Sequence, residues 1–255
     1  MDDELVRGRM SRLAASLRRF HLTDNFALRE LLDQAELPPL DRFIAKLKPF
    51  KDEIPKGISL EAFATVIRRD VVGGDAKAET DSQLAADAER LKKLPPGDDH
   101  ASEYHDLCVT ILGVLFAGQL EFEKKEAHMF GGRKRIDILY RNLFSTGFFE
   151  RLRSVYKIPA QRVPVECKNY EGDPGNPDFD QLSGRLNKNV GSFGILVCRS
   201  VTNSKAALDR CRSYKEKDER VIYLTDEDLL HMIDDHIKGN EPGVLETRLR
   251  EVLLA

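Results

Sequence analysis

The sequence predicts a mixed α/β domain preceded by a helical region, and three observations lead there. Short apolar runs of strand length, Phe193 to Cys198 and Val221 to Leu224, alternate with stretches whose apolar residues recur at helical spacing. A glycine pair, Gly131-Gly132, separates two strand-like segments. Upstream of Leu94-Pro95-Pro96-Gly97-Asp98-Asp99 the pattern is helical throughout.

Taken in order, Leu5, Met10, Leu13 and Leu17 form an apolar stripe, followed by short segments around Phe26 to Leu32 and Phe43 to Leu47. Leu37-Pro38-Pro39, Ile54-Pro55-Lys56-Gly57 and Val72-Gly73-Gly74-Asp75 are breaks, and Ala76 to Lys93 is a polar, alanine-rich helix. The two prolines, glycine and two acids after Leu94 read as a linker. Residues 1–95 are therefore expected to be a helical N-terminal domain, and residues 100–255 the α/β domain. Ser102 to Phe116 is an amphipathic helix with Tyr104, Leu107, Cys108, Ile111, Leu112 and Leu115 on one stripe. Leu120 to Phe130 and Arg133 to Tyr140 are two strands of a hairpin, and Arg162 to Tyr170 is a third. A helix over Asp178 to Asn189 carries Phe179, Leu182 and Leu186. Phe193 to Cys198 and Val221 to Leu224 are nearly continuous apolar runs, as in strands buried on both faces. Between them Asn203 or Ser204 caps a helix reaching Asp218, and Thr225-Asp226-Glu227-Asp228 opens another through Ile237 in the manner of a capping box. Leu245 to Leu254 closes the sequence as an amphipathic helix.

Composition narrows the function. Apolar residues make up 41% and charged residues 33%, and no apolar stretch approaches the ~20 residues of a bilayer-spanning helix. The acidic start Met1-Asp2-Asp3-Glu4 is not a basic leader, so a cytoplasmic protein with no membrane partner is expected. Cys108, Cys167, Cys198 and Cys211 lack metal-site spacing and read as buried free thiols. A net charge of −3 argues against attachment to nucleic acid by bulk charge, but the distribution is uneven. Nine Lys/Arg face three Asp/Glu from Arg133 to Lys168, and nine face four from Arg185 to Arg220, while Glu171 to Asp180 holds four acids and no base.

The segment Arg162-Val-Pro-Val-Glu166-Cys167-Lys168-Asn169-Tyr170 carries the chemistry. Strand alternation puts Val163, Val165 and Cys167 on one face and Glu166 with Lys168 on the other. Asp137 stands alone in the apolar strand Ile136-Asp137-Ile138-Leu139, where an acid is costly unless paired, hydrogen-bonded or metal-bound. If the two strands are neighbours, two carboxylates meet beside one ammonium, a set suited to phosphodiester hydrolysis. Asp137 and Glu166 would hold Mg²⁺, or Mn²⁺ in its place, and Lys168 would serve the attacking water. Arg133, Lys134 and Arg135 could bind the phosphates of a DNA partner without reading sequence; a charged, solvated hairpin edge accounts for them as well.

Asp137 and the Glu166-Cys167-Lys168 triplet, with the order of elements around them, resemble the PD-(D/E)XK nuclease superfamily, in particular restriction-endonuclease-like domains of the Mrr type. The resemblance covers about residues 101 to 240. It implies a restriction-endonuclease-like mixed sheet flanked by helices and metal-dependent cleavage of DNA, in bacterial defence or DNA processing, often by dimers. It also implies that the Cys167 carbonyl joins the metal ligands, and that Gln181 and Glu103 support the site. Ile136 stands where the name-giving proline would be.

Other readings stay open beside this one. Glu166 and Lys168 could be a surface ion pair, and Asp137 a structural hydrogen-bonding group. Glu103 could simply favour the N-terminal end of its helix, and Gln181 could be a surface glutamine. The fold could serve a non-catalytic nucleic-acid-binding or scaffold protein, or a hydrolase directed at RNA. His105 and His128 could approach the site, though no spacing demands it; His231 and His236 are five apart and make a poor metal pair. Asp173-Pro174-Gly175-Asn176-Pro177-Asp178 lacks the spaced acids of a calcium loop and reads as a turn. The N-terminal region could bind DNA, a regulatory partner or another copy.

Overall fold

The computed structural model describes residues 40–52, 60, 63–64, 77–129, 134–144, 147–240 and 243–254. The chain divides into two compact units, Met1–Gln83 and Leu84–Ala255. In the first, helix α1 (Leu40–Leu47) runs into a 3₁₀ turn over Lys48–Phe50, with Phe43 and Leu47 fully buried one turn apart. The expected stripe from Leu5 to Leu17 and the segment from Phe26 to Leu32 lie outside the described residues.

Helix α2 (Lys77–Lys93) occupies nearly the whole span its composition predicts. Its last turn carries Arg90, Lys92 and Lys93, cations at the negative end of the helix dipole. The Leu94–Asp99 segment breaks the chain as expected, and it is tied down. The side-chain amide of Asn169 donates to the Gly97 carbonyl at 2.9 Å, and the main-chain groups of the two residues also pair. Arg199 donates to the carbonyl of Leu94.

Helix α3 (Ala101–Leu115) buries every residue of its predicted stripe. Strands β1 (Leu120–Met129) and β2 (Lys134–Asn142) form the expected antiparallel pair, with an irregularity between Phe122 and Lys124. The turn expected at Gly131-Gly132 lies outside the described residues. A short helix, α4 (Gly147–Ser154), then intervenes where no element was expected. It buries Phe148, Phe149 and Leu152, and its rings pack edge-on against Phe116 (4.9 Å) and Phe193 (5.7 Å).

Strand β3 (Arg162–Lys168) pairs antiparallel with β2, then parallel with β4 (Phe193–Cys198), which pairs parallel with β5 (Arg220–Thr225). The result is a five-stranded mixed sheet in the order β1-β2-β3-β4-β5, flanked by helices. Every residue of β4 is buried, in agreement with its unbroken apolar sequence. The crossovers are α5 (Asn176–Ser183) and α6 (Ser204–Ser213), the latter capped by Asn203 as predicted. Helix α5 is shorter than the Asp178 to Asn189 expectation. It begins earlier because Pro177 suits a first helical turn, and it ends near Gly184 because Asn187 folds the chain back. The Asn187 Oδ1 accepts from the Asn189 N–H at 2.9 Å, and its backbone bridges to Gly191. Helix α7 (Asp226–Lys238) opens on the predicted Thr225/Asp228 capping box, and α8 (Val244–Leu253) is pinned to it by Arg248 on Asp228 at 2.9 Å. Among the described residues no helix is long and apolar enough to cross a membrane.

The turn before β4 depends on one glycine. Gly191 has φ +116°, and a Cβ there would sit 2.6 Å from the Pro159 carbonyl oxygen, a backbone atom that cannot swing aside. Its neighbours carry the hydrogen bonds Arg162 N–H to Val190 O and Ser192 N–H to Pro159 O, which lead into β3 and β4. Gly191→Ala is therefore expected to lower stability by about 2 kcal/mol or more, through left-handed strain and collision together. Urea denaturation checks this; an unchanged midpoint would mean that the turn rearranges freely.

Candidate active site

The β2–β3 register fixes the chemistry. Ile138 lies opposite Val165, and Asp137 and Glu166 each lie one residue beyond, so the two acids adjoin across the strand pair. Asp137 Oδ2 accepts the Cys167 N–H at 3.0 Å, which ties the acid of β2 to the backbone between Glu166 and Lys168. The strand alternation read from the sequence thus brings Asp137, Glu166 and Lys168 together, and both acids are buried, Glu166 completely.

Helix α5 lays a polar row over this strand. Gln181 donates from Nε2 to Glu166 Oε2 at 2.7 Å, and its Oε1 accepts from Lys168 Nζ at 2.9 Å. One amide therefore fixes both the acid and the base of the E-x-K triplet. Asp178 sits 3.8 Å from the Lys168 ammonium; its other oxygen accepts from the Gly175 N–H at 2.8 Å and from the Tyr170 hydroxyl. Just past the helix, Arg185 Nε reaches Glu166 Oε1 at 3.3 Å. Asp178 and Gln181 are three apart on α5, so helical periodicity could have found Asp178 once Gln181 was placed.

Burial dominates the electrostatics. It pushes Glu166 up to about 8, reinforced by the neighbouring Asp137, while Lys168 and Arg185 pull the other way without winning. Burial acts on Asp137 in the same upward sense. There it is outweighed by His105, the Cys167 N–H and the Glu166 proton, and Asp137 is held at about 2. Two adjoining carboxylates in a dry place cannot both be charged cheaply, so one carries a proton. Cys167 is pushed well above the ordinary thiol range by burial and by the adjacent Cys108. All four cysteines are free, and Cys108, Cys198 and Cys211 are buried.

The remaining expected residues fall elsewhere. Glu103 is half exposed and faces Arg90 (3.6 Å) and His100 (3.9 Å); α3 turns His105, not Glu103, toward Asp137, at 3.4 Å. The sequence shows which face of α3 is apolar, and that face leaves the rotational position of each polar neighbour undetermined. Arg133 lies outside the described residues, as do the side chains of His128, Lys134 and Arg135. Asp173 ties down the loop before α6: its oxygens accept the Thr202 and Asn203 N–H groups.

Among the described residues no group of three His, Cys, Asp or Glu side chains is arranged to hold a metal ion. Asp137 and Glu166 together with the Cys167 carbonyl are a set of another kind, two carboxylates and a main-chain oxygen, which are hard donors of the type Mg²⁺ takes. The donor chemistry fits such a cation. The repulsion that keeps a proton on Glu166 is what a divalent cation relieves by replacing that proton.

No protein family profile matches the chain, and no solved structure matches it. Over 109 residues it is 28% identical to the transposon gamma-delta 80.3 kDa protein of Escherichia coli (strain K12), a match covering 43% of this chain and 15% of that protein.

The raised Glu166 pKa makes the metal-free protein pH-sensitive. Because the folded state holds this proton more tightly than the unfolded one, ionising Glu166 costs stability, and stability falls as pH rises from about 4.5 through about 8. Glu166→Gln is expected to flatten that decline, which amounts to up to a few kcal/mol. At pH 8, added Mg²⁺ should raise the melting temperature of the wild type but not of the variant. Parallel melting curves for the two proteins across this range would sink the carboxylate-pair account.

Proposed function

We propose that the chain is a Mg²⁺- or Mn²⁺-dependent endonuclease that hydrolyses phosphodiester bonds in DNA, on a restriction-endonuclease-like fold of the PD-(D/E)XK type. The observation that carries this reading is the junction of Asp137 and Glu166 across adjacent strands, with Lys168 held beside them by Gln181. A purely structural role explains it poorly. A buried carboxylate pair that must keep a proton is a liability for folding, and an apolar pair would fill the same space without it. Strongly opposed carboxyl pKa values in one site are, by contrast, a recurring mark of function. The similarity to a transposon protein supports DNA as the substrate.

Asp137 and Glu166 would hold the cation through their side chains, and Cys167 through its carbonyl, its sulfur staying a neutral thiol on the other strand face. A bound Mg²⁺ or Mn²⁺ supplies Lewis acidity toward the phosphate and lowers the pKa of a water. Lys168, part-buried and held at Nζ, offers its N–H donors to the attacking water and to a phosphate oxygen as negative charge grows there. Gln181 keeps that ammonium pointed and occupies one oxygen of Glu166. Arg185 offsets part of the Glu166 charge from the far side and so favours its ionised, cation-binding form. Acting as a dimer, in defence or DNA processing, and under a regulatory partner of the N-terminal region, belongs to the same proposal.

Cleavage of supercoiled plasmid in Mg²⁺, Mn²⁺ or EDTA tests the reading. The wild type is expected to nick or linearise DNA only with the cation. Lys168→Ala should be slower by about 100-fold or more. Asp137→Ala and Glu166→Ala should be inactive while still folded by circular dichroism. Folded wild type that leaves DNA intact but cuts RNA would move the substrate, and activity untouched in Lys168→Ala would refute the site.

A further inference from the structure

His105 has so far entered only through its electrostatic pull on Asp137. Its Nε2 stands 3.4 Å from Asp137 Oδ2, a contact longer than a good hydrogen bond, and this buried atom has no hydrogen-bond partner. The ring is held in that place. The preceding residue, Tyr104, is fully buried, donates its hydroxyl to Asp226 at 2.8 Å and lies under the Arg199 guanidinium. With Tyr104 locked on both sides, α3 cannot roll, and the next residue is aimed about 100° further round the helix, at the acid of β2.

We infer that His105 is a positioning residue for the cation site, on the reading of Asp137 as a cation ligand. Asp137 Oδ2 is already engaged by the Cys167 N–H at 3.0 Å. A donor at His105 Nε2 on the same oxygen holds the carboxylate plane from a second side, and Oδ1 is the oxygen left for the cation. Ligating carboxylates are commonly fixed by such outer hydrogen bonds, and removing one weakens metal affinity by about 10- to 100-fold. A shift of a few tenths of an ångström would bring the 3.4 Å separation to hydrogen-bond length. Arg185 and Gln181 serve Glu166 in the same way, so each acid of the pair has its own outer donors.

The test reads metal affinity directly, without catalysis. Mn²⁺ is titrated into the full chain and free Mn²⁺ followed by electron paramagnetic resonance, for wild type and for His105→Ala, His105→Gln and His105→Asn. A glutamine amide nitrogen reaches the position of the imidazole Nε2, whereas that of asparagine falls short at the level of Nδ1. Wild type and His105→Gln are expected to bind alike, and His105→Ala and His105→Asn to bind about 10- to 100-fold more weakly, all with the same melting temperature in EDTA. If His105→Ala melts early, the Gln and Asn variants decide. Equal Mn²⁺ affinity in all four proteins overturns the role of His105 and leaves the cation site standing. No binding by the wild type overturns both.

Discussion

Everything around the candidate site answers one constraint, the placing of two carboxylates side by side in a buried part of the sheet. Asp137 and Glu166 arrive there because β2 and β3 are antiparallel neighbours with a register that allows no other facing arrangement. A one-residue slip of either strand would turn its acid to the opposite face of the sheet and part the pair. The surrounding polar groups follow from that: a backbone N–H on one acid, an amide and a guanidinium on the other, an ammonium in reach of the same amide.

The division of labour between the two acids is physical rather than sequential. Both are buried, yet burial wins at Glu166 and loses at Asp137, because the donors about Asp137 act on its charged form while the strongest neighbour of Glu166 is another negative charge. The site is consequently primed. Asp137 is held at about 2 and Glu166 is pushed up to about 8, so near neutral pH one acid is charged and the other carries a proton. A binding scaffold gains nothing from such a pair, which is the main reason for preferring a catalytic reading of the fold.

Much of this was legible from the residues alone, where a local rule decides the outcome. Alternation in Arg162 to Tyr170 separated Glu166 and Lys168 from Cys167, and the apolar company of Asp137 marked it as out of place. The unbroken run from Phe193 to Cys198 announced a strand covered on both sides, and Asn203 and Thr225 announced helix starts. What stayed hidden depends on how elements meet. The phase of α3 decides between Glu103 and His105, and it is set by Tyr104 against Asp226, a contact between residues far apart in the chain. Arg185 lies beyond the end of α5 and reaches Glu166 only because the chain turns at Gly184 to Asn187. Helix α4 was overlooked for a different reason. It is short, and its Phe148, Phe149 and Leu152 resemble any apolar cluster until Phe116 and Phe193 close over them.

The Leu94–Gly97 segment has a consequence for how the molecule can be divided. It follows a long polar helix and has the composition of a hinge, yet Asn169 grips it through side chain and backbone at once. Asn169 is the residue after Lys168, so the ammonium of the site hangs from a strand end whose last anchor is a stretch of chain far upstream. A shortened protein that starts at Ala101 would keep all five strands and every proposed ligand, and would still leave the end of β3 untied. The natural cutting point suggested by the prolines is thus the wrong place to cut, and a shortened form that keeps the end of β3 tied must retain Leu94 to Gly97.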